Sequence, residues 1–286
     1  MKNYKVEKIN MFTYNKKVLK ASFYRPSEKK IKATILYFHG GGLIFGHRND
    51  LPKKYIELLT SNGLAILTVD YPLAPETKMP DVLDVSFKIL DWFVYEFLEQ
   101  LTCKKYFIMG RSAGGFLALS SAIHAKKIKH FPTGIISLYG YYNLNDAIFT
   151  VPNRYYLKYP KVSDSAISSL IQRGEIVTKG EQDRFLLYLA SRQKGDWMNL
   201  LLSSANQKRE LSISKNDIKN LPALFLAASR NDPDVPSHQS RQLAKIHPDA
   251  ELTLYNLDVH DFDRTHQETF GLPLYKKMIR WIFEKI

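Results

Sequence analysis

Short apolar runs recur along the chain and alternate with stretches that have helical spacing. Segments of strand character lie at residues 33–38, 64–69, 106–110, 134–139, 222–228 and 251–256. A short continuous apolar run is typical of a strand that is buried on both faces, as in a parallel sheet. The alternation of these strands with helices over short connections predicts an α/β protein with a mostly parallel, doubly wound sheet.

The first part of the chain follows another pattern. Apolar and polar positions alternate weakly through residues 4–25, which predicts an antiparallel pair of strands with a turn near Asn15 and Lys16. Further along, apolar residues recur at the three- and four-residue spacing of amphipathic helices. The predicted helices lie at residues 51–62, 81–100, 113–127 and 272–286.

Residues 141–218 interrupt the alternation of strand and helix. This segment is rich in aromatic residues, then helical in character, and it contains no clear buried strand. Because the strand pattern resumes at residue 222, we interpret the segment as an insertion over one end of the sheet. The sequence therefore predicts one α/β domain over residues 1–286, with residues 141–218 as a lid within it.

The basic charge of the chain raises the question of a nucleic-acid partner. The 286 residues include 41 Lys and Arg against 28 Asp and Glu, a formal charge of +13. The lysines are scattered singly or in pairs, however, with no basic helix, zinc-ligand spacing or RNP-like aromatic run beside them. A solvated basic surface explains the charge better than nucleic-acid binding.

Several sequence features that are missing limit the possible cellular locations and ligands of the protein. The single cysteine, Cys103, excludes an internal disulfide and fits a reducing compartment. No stretch has the length and apolarity of a signal peptide or a membrane span. We expect a cytoplasmic protein without membrane contact, cofactor or metal, and the sequence leaves a homodimer open.

The motif Gly110-Arg111-Ser112-Ala113-Gly114 lies between a predicted strand and a predicted helix. In that setting a G-x-S-x-G pattern predicts a nucleophile elbow, a turn so tight that its flanking positions require glycine. The bare pattern is weak evidence, because it also arises by chance. Its interpretation depends on whether the rest of the chain supplies chemical partners for Ser112.

Those partners are a histidine that accepts the serine proton and a carboxylate that orients the histidine. Asp232 follows strand 222–228, and His260 follows strand 251–256. Both therefore lie at carboxyl ends of strands, where open α/β sheets form their sites. The chain order serine, acid, histidine is the order found in α/β-hydrolases.

Other residues compete for these two positions. Asp234 lies two residues after Asp232 and could exchange roles with it. His238 and His266 are rivals of His260, but the first lies in the helix after the acid loop and the second stands farther beyond the strand. We favour Asp232 and His260 for their positions relative to the strand ends.

A second requirement is a set of donors for the negative charge that develops on a carbonyl oxygen. His39-Gly40-Gly41-Gly42 follows a buried strand and offers backbone N–H groups without obstructing side chains. Together with the amide of Ala113 it predicts the two-loop oxyanion hole of lipases and esterases. The chain has neither G-x-G-x-x-G nor a Walker lysine, so a phosphate-binding loop is disfavoured.

Taken together, these motifs resemble the α/β-hydrolase superfamily, and most closely the hormone-sensitive-lipase-like bacterial esterases. The resemblance covers about residues 20–286 and rests on HGGG, DYPLAPE, GRSAGG, the Asp232 loop and the His260-Asp261-Phe262 segment. It implies Ser112 as the nucleophile, with Asp232 and His260 as its partners. It also implies the oxyanion donors Gly41, Gly42 and Ala113.

Two positions depart from the usual pattern of that family. Arg111 occupies the second position of the serine motif, and the acid loop reads Ser229-Arg230-Asn231-Asp232, where a small, glycine-like residue is common. Arginines beside the site would favour an anionic substrate, unless they are neutralised by salt bridges. We expect salt bridges.

The activity that best fits the sequence is hydrolysis of carboxylic esters with small to medium acyl chains, through an acyl-enzyme. An aminopeptidase or amidase, more loosely resembling the prolyl-oligopeptidase-like hydrolases, remains an alternative because the same residues cleave amides. A non-catalytic ligand-binding protein on the same fold is a third hypothesis. The physiological substrate is not encoded in any of these motifs.

Overall fold

One eight-stranded sheet forms the centre of the computed structural model, which describes residues 3–286 and leaves the first two residues of the predicted domain outside. The spatial order is β1-β2-β4-β3-β5-β6-β7-β8, and β2 runs antiparallel to both its neighbours. The predicted mostly parallel sheet with an antiparallel amino-terminal pair is thus confirmed. The strands are β1 (Tyr4–Tyr14), β2 (Lys17–Pro26), β3 (Ala33–Phe38), β4 (Leu64–Val69), β5 (Tyr106–Arg111), β6 (Gly134–Leu138), β7 (Ala223–Ser229) and β8 (Ala250–Tyr255).

The apolar runs of the sequence correspond to the central strands. Every residue of β3, β4 and β5 is buried, because helices cover both faces of the sheet. The hairpin between β1 and β2 turns at Asn15 and Lys16, with φ values of 43° and 66°. Positive φ at both central residues gives the turn a twist that matches the strands it joins.

Helices pack on the two faces of the sheet and form the connections between its strands. One face is covered by α1 and α11, and the other by α2 and α3. The helices are α1 (Lys53–Ser61), α2 (Met79–Trp92), α3 (Ala113–His124), α4 (Asp164–Leu170), α5 (Gln182–Lys194), α6 (Trp197–Leu201), α7 (Gln207–Leu211), α8 (Lys215–Lys219), α9 (His238–Ile246), α10 (Phe262–Thr265) and α11 (Leu272–Lys285).

The predicted helix 81–100 differs from the structure at both ends. It begins earlier, at Met79, since Pro80 is favourable in the first turn of a helix. After Trp92 the backbone widens into a π-helical turn over Phe93–Phe97 and closes with a short 3₁₀ turn. The wide turn keeps Phe97 in the core, where its ring packs edge-on against Phe23 with centroids 4.9 Å apart.

Residues 141–218, which we call the insertion, connect β6 to β7 and contain α4 to α8. Among its described residues only Gly180 pairs as a strand, in an isolated bridge with Gly46. Within residues 3–286, no helix has both the length and the apolar character needed to cross a membrane.

A buried ion pair anchors the insertion to the loop that follows β4. Two guanidinium nitrogens of Arg184, on α5, donate to the two carboxylate oxygens of Glu76 at 2.9 and 2.7 Å. The same guanidinium also donates to the carbonyl oxygens of Ile44 and Ala74. Neither charged side chain has significant exposure. Glu76 of the DYPLAPE motif therefore has a structural role, because it holds the insertion against the loop that follows β4.

We expect Glu76→Gln to lower the free energy of unfolding by about 3–5 kcal/mol, because Arg184 would remain as a buried charge without its counter-ion. The matched control is Glu7→Gln, which removes one partner of the exposed Glu7–Arg25 pair and should change stability by less than about 1 kcal/mol. Urea denaturation of the two variants measures both effects. Equal effects would contradict a buried, structural role for Glu76.

Candidate active site

Ser112 occupies the tight turn between β5 and α3. Its backbone has φ 52° and ψ −119°, a strained conformation for a residue other than glycine. A Cβ at Gly110 would lie 1.9 Å from the carbonyl oxygen of Gly114, and a Cβ at Gly114 would lie 2.1 Å from that of Phe38. The two glycines of the motif are therefore required by the close approach of the backbone.

The structure brings Ser112, His260 and Asp232 into one hydrogen-bonded chain. His260 Nε2 lies 2.8 Å from Ser112 Oγ, and its Nδ1 lies 2.7 Å from Asp232 Oδ2. The other oxygen of Asp232 accepts the backbone N–H groups of Asp234 and Val235, at 2.9 and 3.0 Å. Both carboxylate oxygens are thus engaged, which fixes the orientation of the imidazole.

Carboxylates dominate the electrostatic surroundings of His260. Burial lowers the pKa of the imidazole, but Asp232 raises it through its charge and its hydrogen bond. The charges of Asp234 and Asp261 act in the same direction, and the pKa of His260 rises from 6.5 to about 9. His260 is consequently a stronger base than a free histidine.

The rival residues lie elsewhere. Asp234 is not bonded to the imidazole, and its Oδ2 is 4.0 Å from Nε2. His238 is paired with Asp146, and the Nδ1 atom of His266 contacts the hydroxyl of Thr265. Neither histidine is bonded to Ser112.

Two of the predicted oxyanion donors, Gly41 and Gly42, line the same cleft as Ser112, and the third, Ala113, directly follows Ser112 in the chain. Gly41 and Gly42 have φ values of 105° and 61°, in the region that favours glycine. Among the described residues, no hydrogen bond uses the backbone N–H of Gly41, Gly42 or Ala113. These three N–H groups are therefore not used within the described part of the protein.

Side chains of the insertion hold the glycine loop in place. The indole N–H of Trp197 donates to the carbonyl oxygen of Gly42 at 3.1 Å. The ring of Tyr188 lies so close that a Cβ at Gly42 would come within 2.4 Å of it. His39 is buried at the start of the loop and stacks on Tyr71, with centroids 4.2 Å apart. Sequence reasoning missed Tyr188 and Trp197, for which the only signal was the aromatic density of the insertion.

Arg111 is buried and paired. One nitrogen of its guanidinium donates to Asp263 Oδ1 at 2.9 Å, and Nε donates to the Tyr139 hydroxyl at 2.7 Å. A further nitrogen lies 3.5 Å from Asp50 Oδ2. The ring of Tyr139 also packs edge-on against His260, with centroids 4.8 Å apart. The expected salt bridge is therefore present at Arg111, whereas Arg230 is exposed.

A cleft of about 600 Å³ opens beside Ser112 and His260. One wall is aromatic and comes from the glycine loop and the insertion, with Phe45, Tyr155, Tyr156, Tyr159, Phe185 and Tyr188. The lining also contains polar side chains, among them His47, Asp50, Tyr139, Asp234, Asp261 and Arg264. No set of three or more His, Cys, Asp or Glu side chains within residues 3–286 is arranged to hold a metal ion.

Comparisons with known proteins point to one family. A family profile described as alpha/beta hydrolase fold matches residues 35–264. Acetyl esterase of Salmonella paratyphi B is 31% identical over 122 residues, which span 41% of this chain and 38% of that relative.

Similar solved structures cover nearly the whole chain. A protein of unknown function from Staphylococcus aureus subsp. aureus Mu50 is 27% identical with a TM-score of 0.88, covering 98% of this chain and 100% of that one. An alpha/beta hydrolase superfamily protein from Enterococcus faecalis is 25% identical with a TM-score of 0.84, covering 98% of each chain. An esterase from Pyrobaculum calidifontis, 22% identical with a TM-score of 0.68, covers 97% of this chain and 84% of its own and shares the fold.

We expect Arg111→Met to lower the free energy of unfolding by about 3–5 kcal/mol, because Asp263 would stay buried without its counter-ion. Arg264→Met is the matched control, since that arginine is 46% exposed and its loss should lower stability by less than about 1 kcal/mol. The double variant Arg111→Met/Asp263→Leu should recover part of the loss. Chemical denaturation measures all three, and an Arg111→Met variant as stable as Arg264→Met would refute the structural role of the pair.

Proposed function

Since the chain belongs to the α/β-hydrolase family, related to the hormone-sensitive-lipase-like esterases, we propose that it is a serine hydrolase that cleaves carboxylic esters of small to medium acyl chains. The observation that carries the proposal is the hydrogen-bonded chain Ser112–His260–Asp232 beside a cleft bordered by unused backbone donors.

The reaction follows from the roles of these groups. His260 accepts the proton of Ser112 as the hydroxyl attacks the ester carbonyl, and Asp232 stabilises the imidazolium that forms. The backbone N–H groups of Gly41, Gly42 and Ala113 donate to the oxygen of the tetrahedral intermediate. The intermediate collapses when His260 returns the proton to the leaving alcohol. Water, deprotonated by His260, then attacks the acyl-enzyme and releases the acid.

Support for a small or medium acyl group comes from the cleft and from the relatives. The aromatic wall of the cleft suits an apolar acyl chain, and about 600 Å³ has to hold both halves of the ester. The acetyl esterase relative is consistent with a short chain, but it aligns over only 38% of its length. We take the insertion to be the lid that forms this wall.

Replacement of the nucleophile is the direct test. Ser112→Ala should lower kcat/KM for 4-nitrophenyl acetate and butyrate by at least about 10³-fold, because no other hydroxyl within residues 3–286 is bonded to His260. The matched control, Ser120→Ala on α3, the helix that follows Ser112, should retain activity. A fluorophosphonate should label the wild-type protein at Ser112. Ester hydrolysis that survives Ser112→Ala would refute the proposal.

The pH dependence of kcat/KM should reveal the carboxylates around His260. Only the neutral imidazole accepts the serine proton, so the raised pKa of His260 places the acid limb of the profile near pH 9. Below that value activity should fall about tenfold per pH unit. The measurement is kcat/KM for 4-nitrophenyl acetate as a function of pH, with the rate of the Ser112→Ala variant subtracted as the blank. The midpoint of the acid limb gives the pKa of His260. A limb centred near 6.5 would show that the carboxylates do not act on His260 in this way.

A further inference from the structure

A second carboxylate lies in the wall of the cleft and takes no part in the reaction described above. Asp234 Oδ2 is 4.0 Å from His260 Nε2, the nitrogen that also faces Ser112. Asp232 already occupies the other nitrogen, so Asp234 is not needed to orient the ring. Its position at the reacting groups requires another explanation.

The partners of Asp234 come from the insertion, two of them from α5. The hydroxyl of Tyr188 donates to both carboxylate oxygens, at 2.8 and 2.7 Å, and Nη2 of Arg192 lies 3.1 Å from Oδ1. A carboxylate offers about four acceptor positions. The Tyr156 hydroxyl also hydrogen-bonds to this carboxylate. These three donor groups fill about three acceptor positions and leave one on a side chain that lines the cleft.

The balancing cation is hidden from the cleft. Arg192 is 1% exposed, and its guanidinium lies within 6.0 Å of the rings of Phe149, Tyr156, Tyr188 and Trp197. The aromatic rings enclose the positive charge, while the carboxylate that it balances lines the binding space. A ligand in the cleft therefore meets a hydrogen-bond acceptor at this point of the wall.

Distances relate this acceptor to an acyl group on Ser112. Because Ser112 Oγ and Asp234 Oδ2 lie 2.8 and 4.0 Å from the same nitrogen, they are at most about 6.8 Å apart. A donor atom on the carbon next to an ester carbonyl, together with its hydrogen bond, reaches about 6 Å from the serine oxygen. A donor on that carbon can therefore reach Asp234 Oδ2 while the acyl group is bonded to Ser112.

We propose that Asp234 forms a subsite for esters whose acyl group carries a hydrogen-bond donor, a hydroxyl or an ammonium group, on the carbon next to the carbonyl. The inference rests on the proposed esterase function and specifies its substrate class. A plain alkyl group would desolvate the carboxylate without replacing the lost hydrogen bonds, and an anionic acyl group would be repelled. The preferred substrates are thus 2-hydroxyacyl and 2-aminoacyl esters.

The variant Asp234→Asn gives a sharp test because its amide has only one orientation that satisfies its partners. Arg192 lies beside Oδ1, so the carbonyl oxygen of the asparagine must take that position, while the Tyr188 hydroxyl, which contacts both positions, can accept from the amide. The amide NH₂ group then faces the cleft, and an acceptor becomes a donor of the same size.

The experiment compares ethyl propionate, ethyl L-lactate and ethyl L-alaninate by pH-stat, at a pH where the alaninate remains an ammonium. The ratios of kcat/KM, lactate to propionate and alaninate to propionate, should fall at least about tenfold in Asp234→Asn relative to wild type. The intrinsic reactivity of each ester cancels when the variant is compared with wild type. Any change in the basicity of His260 cancels too, because it affects all three esters alike. The ratio that falls more tells whether hydroxyl or ammonium is the preferred donor.

Asp258→Asn is the control, because this carboxylate lies in the same loop as His260 but is exposed and does not line the cleft. Its ratios should equal those of wild type; an equal fall in both variants, or no fall in Asp234→Asn, would overturn the subsite. If Asp234→Asn does not fold, the wild-type protein provides the test. Its kcat/KM ratios for the three esters must then exceed the corresponding ratios of the rate constants for hydrolysis of the same esters by hydroxide without protein. Wild-type protein that hydrolyses none of the three esters, nor 4-nitrophenyl acetate, would instead refute the esterase function.

Discussion

The buried ion pair between Arg111 and Asp263 joins the two segments on which the candidate site depends. Arg111 directly precedes Ser112, and Asp263 lies three residues after His260. Both side chains are almost fully buried, so each needs a counter-ion, and their contact fixes the separation of the two segments. Asp50 adds a second, longer contact to Arg111. Tyr139 strengthens the link, because its hydroxyl donates to Asp263 and its ring packs against His260.

The insertion is tied to the same region through polar contacts that are also buried. Arg184 binds Glu76 and the backbone beside the glycine loop, and Trp197 donates to Gly42. Tyr188 packs on Gly42 and donates to Asp234, so α5 connects the glycine loop with the acid loop. An insertion held in this way would contribute a wall of fixed shape and charge, and specificity would follow from its side chains.

Two kinds of carboxylate surround His260, and they differ in what they can do. Asp232 bonds to Nδ1 and has both oxygens engaged by the protein. Asp234 stands on the Nε2 side, backed by a cation that the cleft does not expose. Both raise the pKa of the imidazole, but Asp234 lines the cleft, whereas Asp232 does not. The two residues are nearly adjacent in sequence, yet the backbone turn between them directs their carboxylates to opposite sides of one ring.

The sequence by itself determined the features that local physics controls. Burial on both faces makes β3, β4 and β5 continuous apolar runs, and the close backbone approach at Ser112 requires the glycines that flank it. The π-helical end of α2 escaped prediction, because it depends on how Phe97 packs in the core. Only the tertiary structure decided that Arg111 is neutralised by Asp263, 152 positions away, and that α5 supplies Tyr188 and Arg192 to Asp234. Such pairings leave no periodic signal in the chain, because folding alone brings their partners together.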